Sequence, residues 1–412
     1  MATSIALILL LGFIVNSIFN KIKLPGLLGM LILGVIIGPY GLNLLSDSIL
    51  AISSDIRKIA LIIILLRAGL GINKKELKDV GATAIKFSCI PGIIEGLFIA
   101  IICTKLLGFT FIEGGILGFI ISAVSPAVIV PSMLELIKNK LGTNKGIPTI
   151  ILAGASIDDV FAITIFTSFL SMYGGSKVNL GLKLLEIPIS ILLGILLGIV
   201  ASIILLQVFK IFKIRNTKKA LLVLASAILL NSLEGLLKGK IEVATLLGVM
   251  TMGFVIMEKD NIIGVALSEK FNKMWIFAEI FLFVLVGAQV NIFVAMKSGI
   301  LGILIILFGL LGRSIGVLIC TIGTNLNLKE RVFCVIAYIP KATVQAAIGA
   351  VPLSAGVTSG ETMLAIAFLS ILITAPLGAI GVKISSNKLL DTEEVIKKSS
   401  IISLKVKKYY KK

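Results

Sequence analysis

The fold this 412-residue chain predicts is an all-α polytopic membrane protein of about thirteen transmembrane helices, in inverted repeats around two broken helices. Three observations predict it. Hydrophobic residues make up 58% of the chain against 15% charged, and the mean hydropathy is +1.12, more apolar surface than a soluble domain of this size can hide. Apolar runs of membrane length recur along the whole chain with short loops between them. Two of those runs, seven apart in order, carry proline where a helix should continue.

The runs lie at about 4–19, 26–41, 55–72, 83–107, 112–137, 147–172, 183–211, 219–237, 242–257, 274–292, 299–323, 330–353 and 360–384. The first, in MATSIALILLLGFIV, has no basic stretch before it and no small-residue cleavage site, so it reads as a retained span rather than a signal peptide. Net charge is +18, from 39 Lys and Arg against 21 Asp and Glu. Apart from Arg67, Lys86, Arg313 and Lys341, which fall inside runs, more than three quarters of the basic residues lie in the odd-numbered loops or near the C-terminus. The positive-inside rule then puts the C-terminus in the cytoplasm and the N-terminus outside a cell membrane. The basic excess is a topology signal and an attraction to anionic lipid, and it calls for no nucleic-acid partner. The four cysteines (Cys89, Cys103, Cys320 and Cys334) fall inside runs without metal-ligand spacing and read as small apolar packers. With no histidine in the chain, proton chemistry has to run on carboxylates and lysines.

The fifth run reads FIISAVSPAVIVPSML, with Pro126 and Pro131 in its middle; the twelfth reads CVIAYIPKATVQAAIGAVPL, with Pro340 followed by Lys341. Proline removes a helix hydrogen bond and clashes with the preceding turn, so both helices should break. Such breaks are tolerated at membrane depth only where the backbone is buried in protein or lines a cavity. An offset of seven spans means that repeats over spans 1–6 and 8–13, joined by span 7, are inverted. That gives residues 1–182 as the first repeat, with spans 3–6 as its core helices, and 183–211 as a linking span. Residues 212–384 form the second repeat and 385–412 a short basic cytoplasmic tail. Paired broken helices in inverted repeats are the architecture of secondary transporters.

The sharpest chemical signal is Asp158 beside Asp159, in an otherwise uncharged run from Gly146 to Met172. A carboxylate at bilayer depth costs at least ~2.5 kcal/mol on insertion scales, so such residues line cavities and handle protons or cations. Neighbours on a helix point about 100° apart, so the two have separate roles: one faces the cavity and binds the ion, the other meets a basic partner. A site that takes either a proton or Na⁺, exposed alternately to each side, is all that exchange requires. Sodium is a hard cation and prefers oxygen. Around Asp159 the candidate oxygens are Ser156, one turn back, Ser125 at the fifth-span break, and carbonyls freed by Pro126 and Pro131. A buried serine more often bonds its own helix backbone. Lys341, at the twelfth-span break, can offset negative helix ends or pair with Asp158. Arg313 is deep in its span and keeps its charge; its counter-ion is Glu95, equally isolated in span 4, the repeat-equivalent of span 11. Arg67 and Glu279 read as residues near span ends.

These motifs resemble the NHA-type sodium/proton exchangers of the monovalent cation–proton antiporter superfamily. LLRAGLGI (65–72), PGIIEG (91–96), AVSPAVIVPSML (123–134), GASIDDVFAIT (154–164) and PKATVQAAIGA (340–350) occur in that family's order across most of the chain. The resemblance implies a sodium/proton antiporter fold of thirteen or fourteen spans and a homodimer. Each protomer would have a dimerisation domain and a core domain that moves like an elevator. It also implies that Asp159 binds Na⁺ or Li⁺ and the proton, that Asp158 is a partner acid, and that Lys341 lies near it. Related bacterial antiporters often hold lysine where Arg313 stands, and arginine cannot release a second proton. Electroneutral relatives with an Asn–Asp pair carry an acid where Ser125 stands.

The expected function is Na⁺ or Li⁺ exchange for H⁺, without a cofactor and without enzymatic chemistry. K⁺/H⁺ exchange on the same fold is the alternative. An intramembrane prenyltransferase would need two separated acid clusters at a membrane face, and this chain has one, at mid-span. A channel would need a filter or a ring of charge.

Overall fold

The computed structural model describes residues 1–391 apart from 23, 73, 175–179, 213, 238–242 and 298. The expected basic tail from 392 onward lies outside the described residues. The described helices are α1 (Ala2–Lys21), α2 (Gly26–Ile37), α3 (Asp47–Ala51), α4 (Ser53–Gly71), α5 (Lys74–Leu106), α6 (Phe111–Ile121), α7 (Pro126–Lys138), α8 (Ile147–Tyr173) and α9 (Leu180–Ile211). They continue with α10 (Asn216–Leu237), α11 (Thr245–Lys259), α12 (Asn261–Ala288), α13 (Ile292–Lys297), α14 (Gly299–Cys320), α15 (Leu328–Ala337), α16 (Thr343–Ile348), α17 (Val351–Ser354) and α18 (Gly360–Leu389). Every apolar run of the sequence overlaps helix, the fifth and twelfth with interruptions. Among the described residues eight stretches, α6 and α7 together forming one, are individually long and apolar enough to cross a bilayer. The protein is an all-α, multi-pass membrane protein with broken helices.

The tenth span differs from expectation. In place of 274–292, α12 begins at Asn261, where the Asp260 carboxylate caps the Ile263 N–H at 3.0 Å, and ends at Ala288. Its first turns carry Glu269, Lys270 and Lys273, which an apolar-run criterion discards although the backbone is helical. At 1.5 Å per residue the helix is longer than the ~30 Å hydrocarbon thickness of a bilayer. Farther along, Ile280 to Val286 are all buried.

Two sets of helices pack among themselves. In one, α4 lies on α11 and α12, α2 on α1 and α12, and α9 on α11; in the other, α5 lies on α6, α8 and α14, with α15 and α16 on α18. The expectation placed span 3 with spans 4–6, whereas its helix, α4, packs mainly on α11 and α12 and touches the other set at α7. Small residues let backbones approach where lipid gives helices no hydrophobic reason to associate. A Cβ at Gly34 would strike the Val284 carbonyl on α12, and one at Gly118 the Gly96 carbonyl on α5. The sets also meet where α8 lies on α9.

Candidate functional site

The two proline-marked interruptions meet. Helix α6 stops at Ile121, the chain runs without helix to Ser125, and α7 restarts with Pro126 as its first residue, where a missing N–H costs nothing. Pro131 lies farther on, inside α7, which continues past it. In the twelfth span, α15 ends at Ala337, Pro340 and Lys341 sit in the non-helical stretch, and α16 restarts at Thr343. The Ser125 N–H donates to the Pro340 carbonyl at 2.9 Å, and the Ser125 and Thr343 hydroxyls lie 3.4 Å apart. The Lys341 N–H donates to Thr374 Oγ1 on α18 at 2.9 Å. Backbone groups freed by the breaks thus find protein partners, as non-helical chain at membrane depth must.

Each broken helix also starts alike. Thr110 and Glu113 form a capping box at the head of α6, and Asn327 and Glu330 form one at the head of α15. The loop after the other broken helix holds each glutamate: Ser359 donates to Glu113 at 2.8 Å, and Lys145 pairs with Glu330 at 2.7 Å.

Five charged side chains gather around the crossing. Glu95, Asp158, Arg313 and Lys341 are at most 1% exposed, and Asp159 is half-buried. Arg313 Nε bonds Glu95 Oε2, and its guanidinium reaches Asp158 Oδ2 at 3.5 Å and lies over the Tyr338 ring at 5.6 Å. Lys341 Nζ takes the same Glu95 oxygen at 2.6 Å and the Ser122 carbonyl at 3.4 Å. The Val124 N–H, from the unwound stretch of the fifth span, donates to Asp158 Oδ2 at 2.7 Å. The structure therefore brings Glu95 and Arg313 together, and it is Arg313, not Lys341, that contacts Asp158. Glu95 Oε1, Asp158 Oδ1 and Asp159 Oδ1 are buried without a hydrogen-bond partner among the described residues.

Ser156 is spent elsewhere: its hydroxyl donates to the Leu152 carbonyl at 2.8 Å and lies 3.3 Å from Met250 Sδ on α11. That contact turns this face of α8 toward the other helix set. Asp159, three residues on and about 60° round, points to the same side. The available donors are carboxylate and carbonyl oxygens, which suit a hard cation. Among the described residues no three His, Cys, Asp or Glu side chains gather as a metal centre.

Two features escaped the sequence reading. Gln345 is fully buried, with its amide nitrogen 3.0, 3.2 and 2.9 Å from the Ile120, Ile121 and Ala123 carbonyls. An amide one turn past Lys341 in an uncharged run was the available signal. Arg67 and Glu279, read as near span ends, lie between α4 and α12. There Arg67 donates to Asn272 Oδ1 at 2.8 Å, sits 5.5 Å from the Trp275 ring and is within electrostatic reach of the Glu279 carboxylate. The early start of α12 puts Glu279 in mid-helix, which explains the difference.

Residues 5–388 match the family described as sodium/hydrogen exchanger, transmembrane. Sodium/hydrogen exchanger 9B2 of Mus musculus is 34% identical over 405 residues, covering 92% of this chain and 72% of the mouse protein. The Homo sapiens 9B2 protein is 35% identical over 398 residues, covering 90% and 71%. Among solved structures, the sodium proton antiporter MjNhaP1 from Methanocaldococcus jannaschii superimposes with a TM-score of 0.75. It is 23% identical over 93% of this chain and 97% of its own, a likeness of fold.

Proposed function

Because the chain belongs to the transmembrane sodium/hydrogen exchanger family, we propose that it carries Na⁺ or Li⁺ one way and H⁺ the other, with Asp159 taking either ion. The charge balance at the crossing supports this reading. Among the described residues Glu95, Asp158 and Asp159 meet the cations Arg313 and Lys341, so with each of these five ionised one negative charge is left over. At membrane depth that surplus needs a cation or a proton. One Na⁺ meets it as well as one proton does, and the two exclude each other. Asp159 is placed to be the exchanging group. Its neighbour is engaged by Val124 and Arg313, while Asp159 is half-buried on the face of α8 turned toward α11. Neutral oxygens for the cation come from the unwound stretches, with Ser125 at their contact; Ser156 contributes through the backbone of α8 and not its hydroxyl.

The helical runs are thirteen traverses in this reading, with 1–182 and 212–384 as inverted repeats about the linking span 183–211. The capping boxes at the heads of α6 and α15, each clasped by the loop after the other broken helix, fit that symmetry. Helices α5–α8 and α13–α18 form the moving body, and α1, α2, α4 and α9–α12 the scaffold through which two protomers pair. The N-terminus lies outside and the C-terminus in the cytoplasm, where basic loops meet anionic lipid. Arg313 keeps its proton, so a second exchanged proton would have to come from another group at the crossing.

The test is reconstitution in liposomes with an imposed pH gradient and a trapped pH dye. NaCl or LiCl should collapse the gradient in wild type and not in Asp159→Asn, with KCl as the comparison salt. A two-proton exchange would respond to a clamped potential by ~2.3 kcal/mol per net charge per 100 mV; one-for-one exchange would ignore it. Normal exchange by the variant would make the acid pair structural.

A further inference from the structure

The Ala123 carbonyl and the Val124 N–H belong to one peptide unit, and that unit is gripped at both ends. Its N–H donates to Asp158 Oδ2 at 2.7 Å, and its C=O accepts from Gln345 Nε2 at 2.9 Å. Gln345 stands on the other broken helix, fully buried, so the amide ties α16 to the end of α6 through the peptide that touches the aspartate pair. Peptide groups at a chain break are free to rotate about the flanking bonds. Only a partner on the carbonyl side keeps this N–H on the carboxylate.

The arithmetic of the amide is tight. A primary amide has two N–H groups, and Gln345 Nε2 is within reach of three carbonyls, at Ile120, Ile121 and Ala123. These carbonyls lie at the C-terminal end of α6, where the helix leaves acceptors without internal partners and its dipole is negative. Two donors over three acceptors leave one bond shared, so the segment is held but not saturated. Gln345 Oε1 is itself buried without a partner among the described residues.

We infer that Gln345 is a positioning residue of the exchange site, which fixes the Ala123–Val124 peptide on Asp158 and so sets how strongly the neighbouring Asp159 takes a cation. The inference rests on the exchange reading given above. A helix cap alone would affect stability; a positioning residue also changes cation affinity and its dependence on pH. Gln345→Leu keeps the bulk and orphans the carbonyls. Gln345→Glu keeps the shape but donates a hydrogen bond only when protonated, and when ionised it sets a charge against three carbonyl oxygens.

Both variants, with wild type and Asp159→Asn, are reconstituted and the apparent KM for Na⁺ and Li⁺ measured across a pH series. Gln345→Leu should raise the KM about tenfold. For Gln345→Glu, the KM ratio to wild type should approach one toward acid pH and grow toward alkaline pH, reversibly within one preparation. The Na⁺-induced shift in thermal unfolding of the detergent-purified variants should shrink in parallel. Wild-type KM values and pH profile in both variants would overturn the inference and leave the exchange reading intact. A wild type without cation-driven proton flux would overturn the exchange reading and this inference with it.

Discussion

Between α4 and α12, the Arg67 guanidinium bonds Asn272, lies over the Trp275 ring and is within electrostatic reach of the Glu279 carboxylate. At the crossing of the broken helices, two cations serve three carboxylates, and Glu95 Oε2 alone receives both Arg313 and Lys341. Both places set charge between packed helices, where it is expensive unless it is paired. The first is balanced within the protein and sits between helices of one set. The second carries a surplus and lies where backbone is unwound and the sets face each other. A matched pair has no need of an ion from solution; an unmatched carboxylate does.

Making the crossing resemble the balanced pair should have the largest effect. Asp159→Asn removes the surplus, and cation-driven proton flux in liposomes should fall by about a hundredfold or more. Glu95→Gln also removes one negative charge, but from the acid that both cations share, so it strands Arg313 and Lys341 without their common carboxylate. Its stability should drop by about 3–5 kcal/mol, read as thermal unfolding in detergent. Adding Arg313→Met to Glu95→Gln removes one of the two stranded cations and should recover much of that loss; no recovery would mean that the two residues are not a coupled pair. Disrupting the balanced site is the control. Glu279→Gln should cost about 1–3 kcal/mol of stability, with the Na⁺ KM within about twofold of wild type. The smallest effect belongs to Ser156→Ala. The hydroxyl is bonded to its own helix, so stability should change by about 0.5 kcal/mol or less and the KM should not move.

The same comparison explains what the sequence could reveal. Helix positions were legible because each span's apolar run is long, and the breaks because Pro126 and Pro340 interrupt two of them. Pro131 gave a false cue, since α7 continues through it. Glu95 and Arg313 could be matched because each is the isolated charge of its own span. The sharing of Glu95 with Lys341 was not legible. It depends on the angle at which two unwound stretches cross, and no periodicity encodes a crossing. Gln345 escaped for the same reason, as its three acceptors lie over two hundred residues away in sequence. Glu279 was misplaced because hydropathy stops at the first charged residues, whereas the helix of α12 runs on through Lys273, Lys270 and Glu269.

The central claim is that one carboxylate site holds either a cation or a proton, never both. Its most direct test is the apparent KM for Na⁺ as a function of pH at clamped potential in proteoliposomes. Competition predicts that lowering the pH raises the KM, toward tenfold per pH unit at the acid end, while the maximal rate at saturating Na⁺ holds. A KM independent of pH, with only the maximal rate changing, would mean that proton and cation occupy separate sites, and would contradict the account.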